Sequence, residues 1–480
     1  MTGGGRGRAG AADWAGAQVG GRARLRVVVL LAAVLGLQGA DTGTIGSMAV
    51  PLSRAFGIGN TRIGLIVTAT TIIGALASLP AGVLVDRVAR VRLLAASVGL
   101  WTVAMVASAL SGSYPALLLS QLALGVVIAL ASPAVTSLSG DYFPPAERAR
   151  IFGFILFGEL AGTGLGIVVS GSLSAISWRL PFLVLAAGSL GLAVGLWRLL
   201  PEPARGGASR LPAGADSFTE AASESVPDPS DRASAQPGAA GHDRAPRLSL
   251  LQAARQILAV RTNVALIASS ALGYFFLQGL ETFVTEYFRG RYGLGQATAS
   301  LLVVVVGAGA LVGVLSGGRI ADRLMRAGRV SGRPLVAGVG FLGAAALLLP
   351  AFLVPTAIIG IPLLFAGAAF YAATSPPLDA ARLDVVAPEM WGRAEAVRSL
   401  FRRLFESAAP ATFGIVSVWF GTARSSSGGS AAESGGMSLS HGVPLAHTFA
   451  VMLLPLLISG LLLLLVATRT YPGDRSAAQP

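Results

Sequence analysis

The sequence predicts an all-α membrane protein in which twelve transmembrane helices form two pseudo-symmetric halves of six helices each. Three observations support this fold class. Only 12% of the 480 residues are charged, whereas a soluble domain is about a quarter charged. Apolar runs of about 20 residues recur, and each could cross roughly 30 Å of hydrocarbon as a helix. In addition, one short charged phrase occurs twice along the chain.

The apolar runs fall into two groups of six, separated by a segment rich in Pro, Ser, Ala and Gly. The predicted spans are 27–49, 62–85, 92–112, 116–139, 151–173, 179–200, 262–286, 297–316, 334–354, 357–380, 400–420 and 446–468. Composition outside the spans indicates flexible chain. We therefore expect a disordered tail over 1–24, halves over 25–200 and 251–470, a linker over 201–250 and a second tail over 471–480.

The charged phrase joins the second and third spans of each half. It reads AGVLVDRVARVR over 81–92 and GRIADRLMRAGR over 318–329. Its key residues are Gly82, Asp86, Arg87 and Arg90 in the first copy and Gly318, Asp322 and Arg323 in the second. Two copies at matched positions indicate a parallel internal repeat.

The basic residues predict the orientation in the membrane. All 36 of them are arginine, and with a cytoplasmic amino terminus only six fall on the outer side: Arg54, Arg62, Arg179, Arg289, Arg291 and Arg424. This bias follows the positive-inside rule, so we expect both termini in the cytoplasm of a bacterial inner membrane. The same distribution argues against nucleic acid as the reason for the net charge of +13. The first apolar run also has the order of a secretory signal, but apolar sequence resumes after Asp41 and favours a first transmembrane helix.

Composition also excludes several activities. The chain has no Cys, so it offers no thiolate nucleophile and no sulfur-ligated metal site. It has no Lys, and its three histidines (His242, His441 and His447) fall in segments predicted to be connecting. We therefore expect no enzyme, no metal and no cofactor. No Gly-Lys-Ser/Thr nucleotide motif is present, and one chain contains both halves, so a monomer suffices.

The repeated phrase, together with the twelve spans, resembles the major facilitator superfamily over about residues 25–470. The resemblance implies a secondary transporter. A narrower resemblance is to the spinster-like branch, which includes lysolipid and sphingolipid transporters. It rests on WRLPF at 178–182, PEPARG at 201–206, GRAEAV at 392–397 and AAP at 408–410. It implies a lysophospholipid-like lipid as the amphipathic substrate.

The sequence departs from the spinster pattern at three positions. Thr42 follows the acid of the first span where these proteins usually have Arg, and Gln121 and Ile128 replace an Arg and a Glu of the fourth span. That Arg belongs to a motif linked to proton coupling, so coupling to protons stays open. A drug efflux transporter of the same superfamily is the alternative, although the fifth span lacks the Gly-Pro pair of drug/proton antiporters.

Several ionisable residues at membrane depth are candidates for substrate or proton binding. Asp41 lies near the middle of the first span, where a carboxyl group is costly unless it has a partner, water or a proton. Gln38 shares its face one turn earlier. Glu159 lies about eight residues into the fifth span, and Glu281 lies toward the outer end of the seventh; for both, a structural role is an alternative.

The eleventh span carries a stripe of charge. Glu395, Arg398, Arg402 and Glu406 follow one another at intervals of three or four residues and share one helix face. The stripe either lines the central cavity, where Arg398 and Arg402 attract an anionic or zwitterionic head group, or is solvated at the inner membrane surface.

The charged phrase is interpreted as a gate. A carboxylate such as Asp86 can cap a helix amino terminus or pair with an Arg of the other half. Asp86 and Arg87 would then bias the equilibrium between inward- and outward-facing forms.

Overall fold

A computed structural model describes residues 19–58, 60–204, 211, 250–294, 296–425 and 442–478. Most of the predicted amino-terminal tail, nearly all of the linker, and His242 and His441 lie outside the described residues. The described chain consists of helices and the turns that connect them. The predicted fold class, an all-α membrane protein with two halves, is confirmed.

The first half contains eight helices because its fourth span is broken and a short helix follows its first. They are α1 (Arg22–Ser47), α2 (Ala49–Phe56), α3 (Asn60–Arg87), α4 (Arg90–Ala109), α5 (Tyr114–Ile128), α6 (Ala131–Tyr142), α7 (Arg148–Ser174) and α8 (Leu180–Leu199). A short 3₁₀ turn, Pro145–Glu147, precedes α7.

The second half repeats the order of the spans, with an additional helix at each end and a break in its last span. Its helices are α9 (Leu250–Ala259), α10 (Arg261–Tyr292), α11 (Gln296–Arg326), α12 (Gly332–Leu353), α13 (Ala357–Ala372), α14 (Ser375–Val385), α15 (Trp391–Ser425), α16 (Gly442–Val451), α17 (Leu454–Arg469) and α18 (Tyr471–Ala478). The tenth span is broken between α13 and α14, as the fourth is between α5 and α6. The 3₁₀ turn Pro388–Met390 precedes α15 as its counterpart precedes α7.

Eleven segments of the described chain are long and apolar enough to span a membrane. The eleventh predicted span, in α15, is not one of them, since part of the charged stripe falls within it. The helix is nevertheless continuous for 35 residues. Its length allows it to cross the membrane and still extend beyond it.

Three boundaries differ from the sequence predictions. The first helix begins at Arg22, inside the segment predicted as a disordered tail. The carboxyl-terminal segment forms α18, and Tyr471 at its start is buried. His447, predicted to be in a connecting segment although it falls just inside the 446–468 span, lies in α16 with its ring 5.8 Å from that of Phe420. At Arg22 and at Tyr471 the helical structure extends beyond the apolar run that set the prediction.

Small residues allow α1 and α7 to approach closely. A side chain at Gly162 would place its Cβ 2.0 Å from the carbonyl oxygen of Gly36, and one at Gly166 would lie 2.4 Å from the Cα of Ala40. Backbone contact of this kind is a common way for helices to associate in membranes, because lipid offers no hydrophobic driving force between them.

Large aromatic side chains fill the second half instead. Phe276, Phe352, Phe413 and Phe449 are buried there, and the rings of Phe352 and Phe449 stack at 4.8 Å. The same apolar cluster extends across to Phe152 of the first half. The two halves therefore share one core at the place where they touch.

The described contacts between the halves concentrate at one end of the bundle, which we call the motif end. It is the end at which α3 and α11 finish and α7 and α15 begin. There α3 packs against α15, and α7 packs against α11 and α14. The two copies of the charged phrase lie at this end.

Each half is braced at the motif end by a buried arginine–aspartate pair. Arg90 at the start of α4 pairs with Asp141 of α6, and Arg333 at the start of α12 pairs with Asp384 of α14. The same interval in the sequence separates the two arginines and the two aspartates. The pairs are therefore equivalent elements of the repeat.

We predict that Gly162→Val destabilises the protein by about 1–3 kcal/mol, because its side chain would overlap the α1 backbone. The measurement is the melting temperature in detergent. Gly164→Val is the matched control, since a Cβ at Gly164 meets no atom within 4 Å. Equal melting temperatures for the two variants would contradict the proposed close packing.

Candidate functional site

A narrow cavity lies between the halves in the middle of the bundle. Both halves contribute side chains to its wall. The first half supplies Leu35, Gln38, Ser132, Val135, Thr136, Phe152, Leu156 and Glu159, and the second supplies Tyr274, Asp379, Arg398 and Arg402. The first half supplies four apolar and four polar or charged side chains, whereas those from the second half are all polar or charged.

The charged stripe of α15 faces the interior of the protein. Arg398 is 5% exposed and Glu395 is 2% exposed, so the solvated alternative does not describe this part of the stripe. Arg398 Nε donates to Glu395 Oε2 at 3.0 Å, and Nη1 donates to Ser270 Oγ at 3.2 Å. The protein itself therefore occupies much of the hydrogen-bonding capacity of Arg398.

Arg398 belongs to a buried group of four charges. Arg382 Nη1 lies 2.8 Å from Glu395 Oε2, and Arg382 also pairs with Asp379. Ser132 of the first half donates to Glu395 Oε1 at 2.9 Å. Two arginines and two carboxylates make the group neutral overall, which lowers the cost of burying each charge.

Arg402 is the cation of the stripe that is available to the cavity. Its guanidinium lies over the Tyr274 ring, 4.5 Å from the centroid. Its carboxylate partner is Glu406, at 3.6 Å from Nε. A ring face accepts no conventional hydrogen bond, and the contact with Glu406 is long. The guanidinium of Arg402 therefore retains N–H donors for a ligand in the cavity.

The first half faces this cation with hydrogen-bond acceptors. Gln38 and Glu159 line the cavity, and Asp41 lies one turn beyond Gln38 on α1, 8% exposed. Asp41 Oδ1 and Gln38 Oε1 are both buried with no hydrogen-bond partner among the described residues. Such groups require a donor, and a proton or a ligand would supply one.

The cavity wall does not include three of the predicted site residues, Asp41, Glu281 and Glu406. Glu281 lies on α10 with an exposed side chain. Sequence reasoning missed Asp379, Arg382 and Tyr274. The charged run LDAARLD directly after the tenth apolar run was an available signal for the first two, but their pairing with α15 depends on tertiary structure.

The first copy of the charged phrase contacts the other half through Asp86. Its carboxylate accepts hydrogen bonds from the backbone N–H groups of Gly392 at 3.0 Å and Arg393 at 3.1 Å, at the start of α15. Arg393 Nε lies 3.4 Å from the same carboxylate. Asp86 thus caps a helix of the opposite half and complements its dipole.

The second copy makes the equivalent contact. Asp322 accepts from the backbone N–H of Arg150 at 2.6 Å, near the start of α7, and lies 3.6 Å from Arg333 Nη2. The two glycines of the phrase permit both crossings. A Cβ at Gly82 would lie 2.6 Å from Ala396, and one at Gly318 would lie 2.2 Å from the carbonyl oxygen of Ala149.

The basic residues of the phrase have different surroundings. Arg87 and Arg323 are exposed, as expected of residues at a membrane surface. Arg90 is buried and pairs within its own half with Asp141 and with Glu202, the latter at 3.3 Å. Arg90 therefore braces the first half, whereas Asp86 and Asp322 join the halves.

No group of three or more histidine, cysteine or acidic side chains within the described ranges is arranged to hold a metal ion. The arrangement is instead that of a membrane protein with two repeated halves around a central polar cavity. The chain belongs to the Major Facilitator Superfamily, whose family model matches residues 31–410.

Curated relatives match only part of the chain. A gallate transporter of Pseudomonas putida is 30% identical over 186 residues, which is 37% of this chain and 40% of that protein. A 4-hydroxybenzoate transporter of Pseudomonas aeruginosa is 31% identical over 185 residues, 38% of this chain and 40% of that protein. The chain thus spans about two fifths of the length of these relatives.

Solved structures match nearly the whole chain at low identity. A bacterial homolog of the human lysosomal transporter Spinster, inward-facing and unoccupied, has a TM-score of 0.59 and 21% identity, covering 93% of this chain and 97% of that one. The proton:xylose symporter XylE has a TM-score of 0.62 and 16% identity, covering 89% and 94%. These matches establish the fold.

We predict that Glu395→Gln destabilises the protein by about 3–5 kcal/mol, because it leaves Arg382 and Arg398 with an uncompensated buried charge. Thermal unfolding in detergent measures the effect. The control is Glu389→Gln, a nearby exposed glutamate, which should leave the melting temperature unchanged. If both variants melt like the wild type, the group of four charges is not a stabilising element.

We also predict that Asp86→Ala and Asp322→Ala weaken closure of the motif end more than the corresponding Asn variants do. Asn can still accept one backbone hydrogen bond at a helix amino terminus, and Ala cannot. Protease access to the motif end, or maleimide labelling of a cysteine introduced there, measures closure. Arg87→Gln, at an exposed neighbour, should behave like the wild type; an Asn variant as open as the Ala variant would contradict the capping role.

Proposed function

We propose that this protein is a secondary transporter that carries an amphipathic small molecule across the membrane by alternating access. The observation that carries the proposal is the central cavity, which takes ionisable groups from both halves and is closed at the motif end. The closing contacts are the two equivalent helix caps made by Asp86 and Asp322. Rocking of two halves around a central site requires contacts that can form at one end and break.

The proposed orientation places the motif end in the cytoplasm of a bacterial inner membrane. The concentration of arginines at this end supports it, because positive charge favours the cytoplasmic side. In this orientation the described conformation is closed to the cytoplasm. The two charged phrases would then lie at the cytoplasmic gate, where Asp86 and Asp322 make the closing contacts and Arg90 braces the first half.

The proposed substrate combines an anionic or zwitterionic head group with an apolar body, as a lysophospholipid-like lipid does. Arg402 is the proposed partner of the anionic group, since Arg398 is already bound to Glu395 and Ser270. The apolar wall formed by Leu35, Val135 and Phe152 suits the remainder of the molecule.

Aromatic carboxylates are a second candidate class. They are favoured because the curated relatives are named for the transport of gallate and 4-hydroxybenzoate. An aromatic acid presents the same chemistry as a lysolipid, an apolar body with an anionic group. Efflux of drugs is the remaining alternative and would not require the anionic group.

Asp41 is the proposed proton site. Its buried carboxylate has one oxygen without a partner among the described residues. In the fourth span Gln121, rather than an arginine, donates to Ser108 at 3.0 Å. Any coupling to protons would therefore depend on Asp41 and the neighbouring Gln38 and Glu159.

We predict that proteoliposomes containing the wild type take up a labelled lysophospholipid, and that flux depends on a pH gradient. Asp41→Asn should abolish the gradient dependence, since an amide cannot release a proton. Arg402→Gln should lower flux at least tenfold at low substrate concentration, because a buried charge-assisted contact contributes about 2 kcal/mol or more. Arg92→Gln, at an exposed position, is the matched control.

The same vesicles are tested with 4-hydroxybenzoate and with a hydrophobic cationic dye. Flux of 4-hydroxybenzoate without lysophospholipid flux would identify the substrate class as aromatic acids rather than lipids. Flux of the dye alone, insensitive to Arg402→Gln, would favour drug efflux. Absence of flux for all three substrates, from protein that melts cooperatively, would contradict the proposed function.

A further inference from the structure

We propose that Arg148 and Trp391 form a gate contact between the halves, in which the arginine of one half binds the indole face of the other. Arg148 is the first residue of α7 and Trp391 is the first residue of α15. The guanidinium carbon lies 4.8 Å from the centre of the Trp391 ring. Both side chains are buried, with 1% and 3% exposure.

The two residues occupy equivalent positions of the internal repeat. Each follows a short 3₁₀ turn that begins with proline, at Pro145 and Pro388. Each precedes the backbone N–H groups that the aspartate of the opposite half caps. The contact between them therefore lies where the repeat axis crosses the motif end.

Equivalent positions beside such an axis would bring two identical side chains together. Two arginines there would repel each other. Two indoles would lack the attraction between a cation and a ring. An arginine opposite an aromatic ring makes the contact attractive. A desolvated cation–π contact is among the stronger ones of this kind.

Each partner is held by its own half. Arg148 donates from Nη2 to the carbonyl oxygen of Gly140 at 2.7 Å and from Nε to that of Phe143 at 3.2 Å. Trp391 Nε1 donates to the carbonyl oxygen of Val386 at 3.0 Å. Because neither side chain depends on the other for its position, their contact reports how the two halves are placed.

The indole ring of Trp391 packs directly against Gly140 of the first half. A Cβ there would lie 2.2 Å from Trp391 Cζ3, so glycine leaves the space that the ring occupies. Arg148 Nη1 is also 3.9 Å from Asp384 of the second half. Three contacts therefore connect the two halves here: Arg148 with the Trp391 ring, the ring with Gly140, and Arg148 with Asp384.

The inference refines the proposed alternating-access function, but its test requires no substrate. The chain contains no cysteine, so Thr136→Cys, in the cavity wall, introduces a single thiol. Its labelling by a membrane-impermeant maleimide is measured in right-side-out and in inside-out vesicles. The two vesicle types report access from the far end and from the motif end.

In this background, Trp391→Ala and Arg148→Gln should raise labelling from the motif end about tenfold and lower it from the far end. Trp391→Phe and Arg148→Lys should have smaller effects, because they retain an aromatic face and a cation. The double variant Arg148→Gln/Trp391→Ala should have less than the product of the two single effects, since both single variants remove the same cation–ring contact.

Trp101→Ala is the matched control, because Trp101 is as deeply buried but packs within the first half. The proposal is overturned if Trp391→Ala labels like Trp101→Ala, or if Trp391→Phe is as open as Trp391→Ala. It is also overturned if labelling rises equally from both sides, which indicates a loosened fold. A shift in sidedness without transport of any substrate would support the gate contact while contradicting the proposed function.

Discussion

The cost of placing a charge in hydrocarbon determines how this bundle is organised. An arginine or carboxylate at membrane depth must find a partner, because no water is available to solvate it. The group of Asp379, Arg382, Glu395 and Arg398 satisfies this requirement inside the second half. Ser132 is the point at which the first half joins it. The polar interior of the molecule is thus assembled by mutual neutralisation rather than by exposure to solvent.

The same requirement explains why the halves meet where they do. Helix amino termini carry unsatisfied N–H groups and a positive dipole end. Asp86 and Asp322 accept hydrogen bonds from these N–H groups on the opposite half. Each helix end therefore gains an acceptor, and each buried carboxylate gains donors. Because each contact involves one carboxylate and one helix end, it can be broken without unfolding a helix. The repeat places one such contact near the start of α7 and the other near the start of α15, the helices that Arg148 and Trp391 begin.

The fold could be predicted from the sequence because hydrophobic length and repeat spacing are local properties. The two charged phrases located the halves, and the chemistry of Asp86 correctly suggested a helix cap. The eleventh span was predicted despite its charges, although α15 begins earlier and extends further than its apolar part. Asp379, Arg382 and Tyr274 could not be assigned because their roles depend on which helices become neighbours. Arg398 illustrates the same limit: the sequence indicated a ligand-binding cation, but tertiary contacts bind it to Glu395.

The cations of the central site are all guanidinium groups, since the chain contains no lysine and the residues that line the described cavity include no histidine. Guanidinium groups stay protonated throughout the physiological range. Titration of the site therefore proceeds only through carboxylates, which lose negative charge as protons bind. A fall in pH can only make the site more positive and strengthen its attraction for an anion. Because its cations cannot be discharged in this range, a rise in pH changes the site only by ionising its carboxylates.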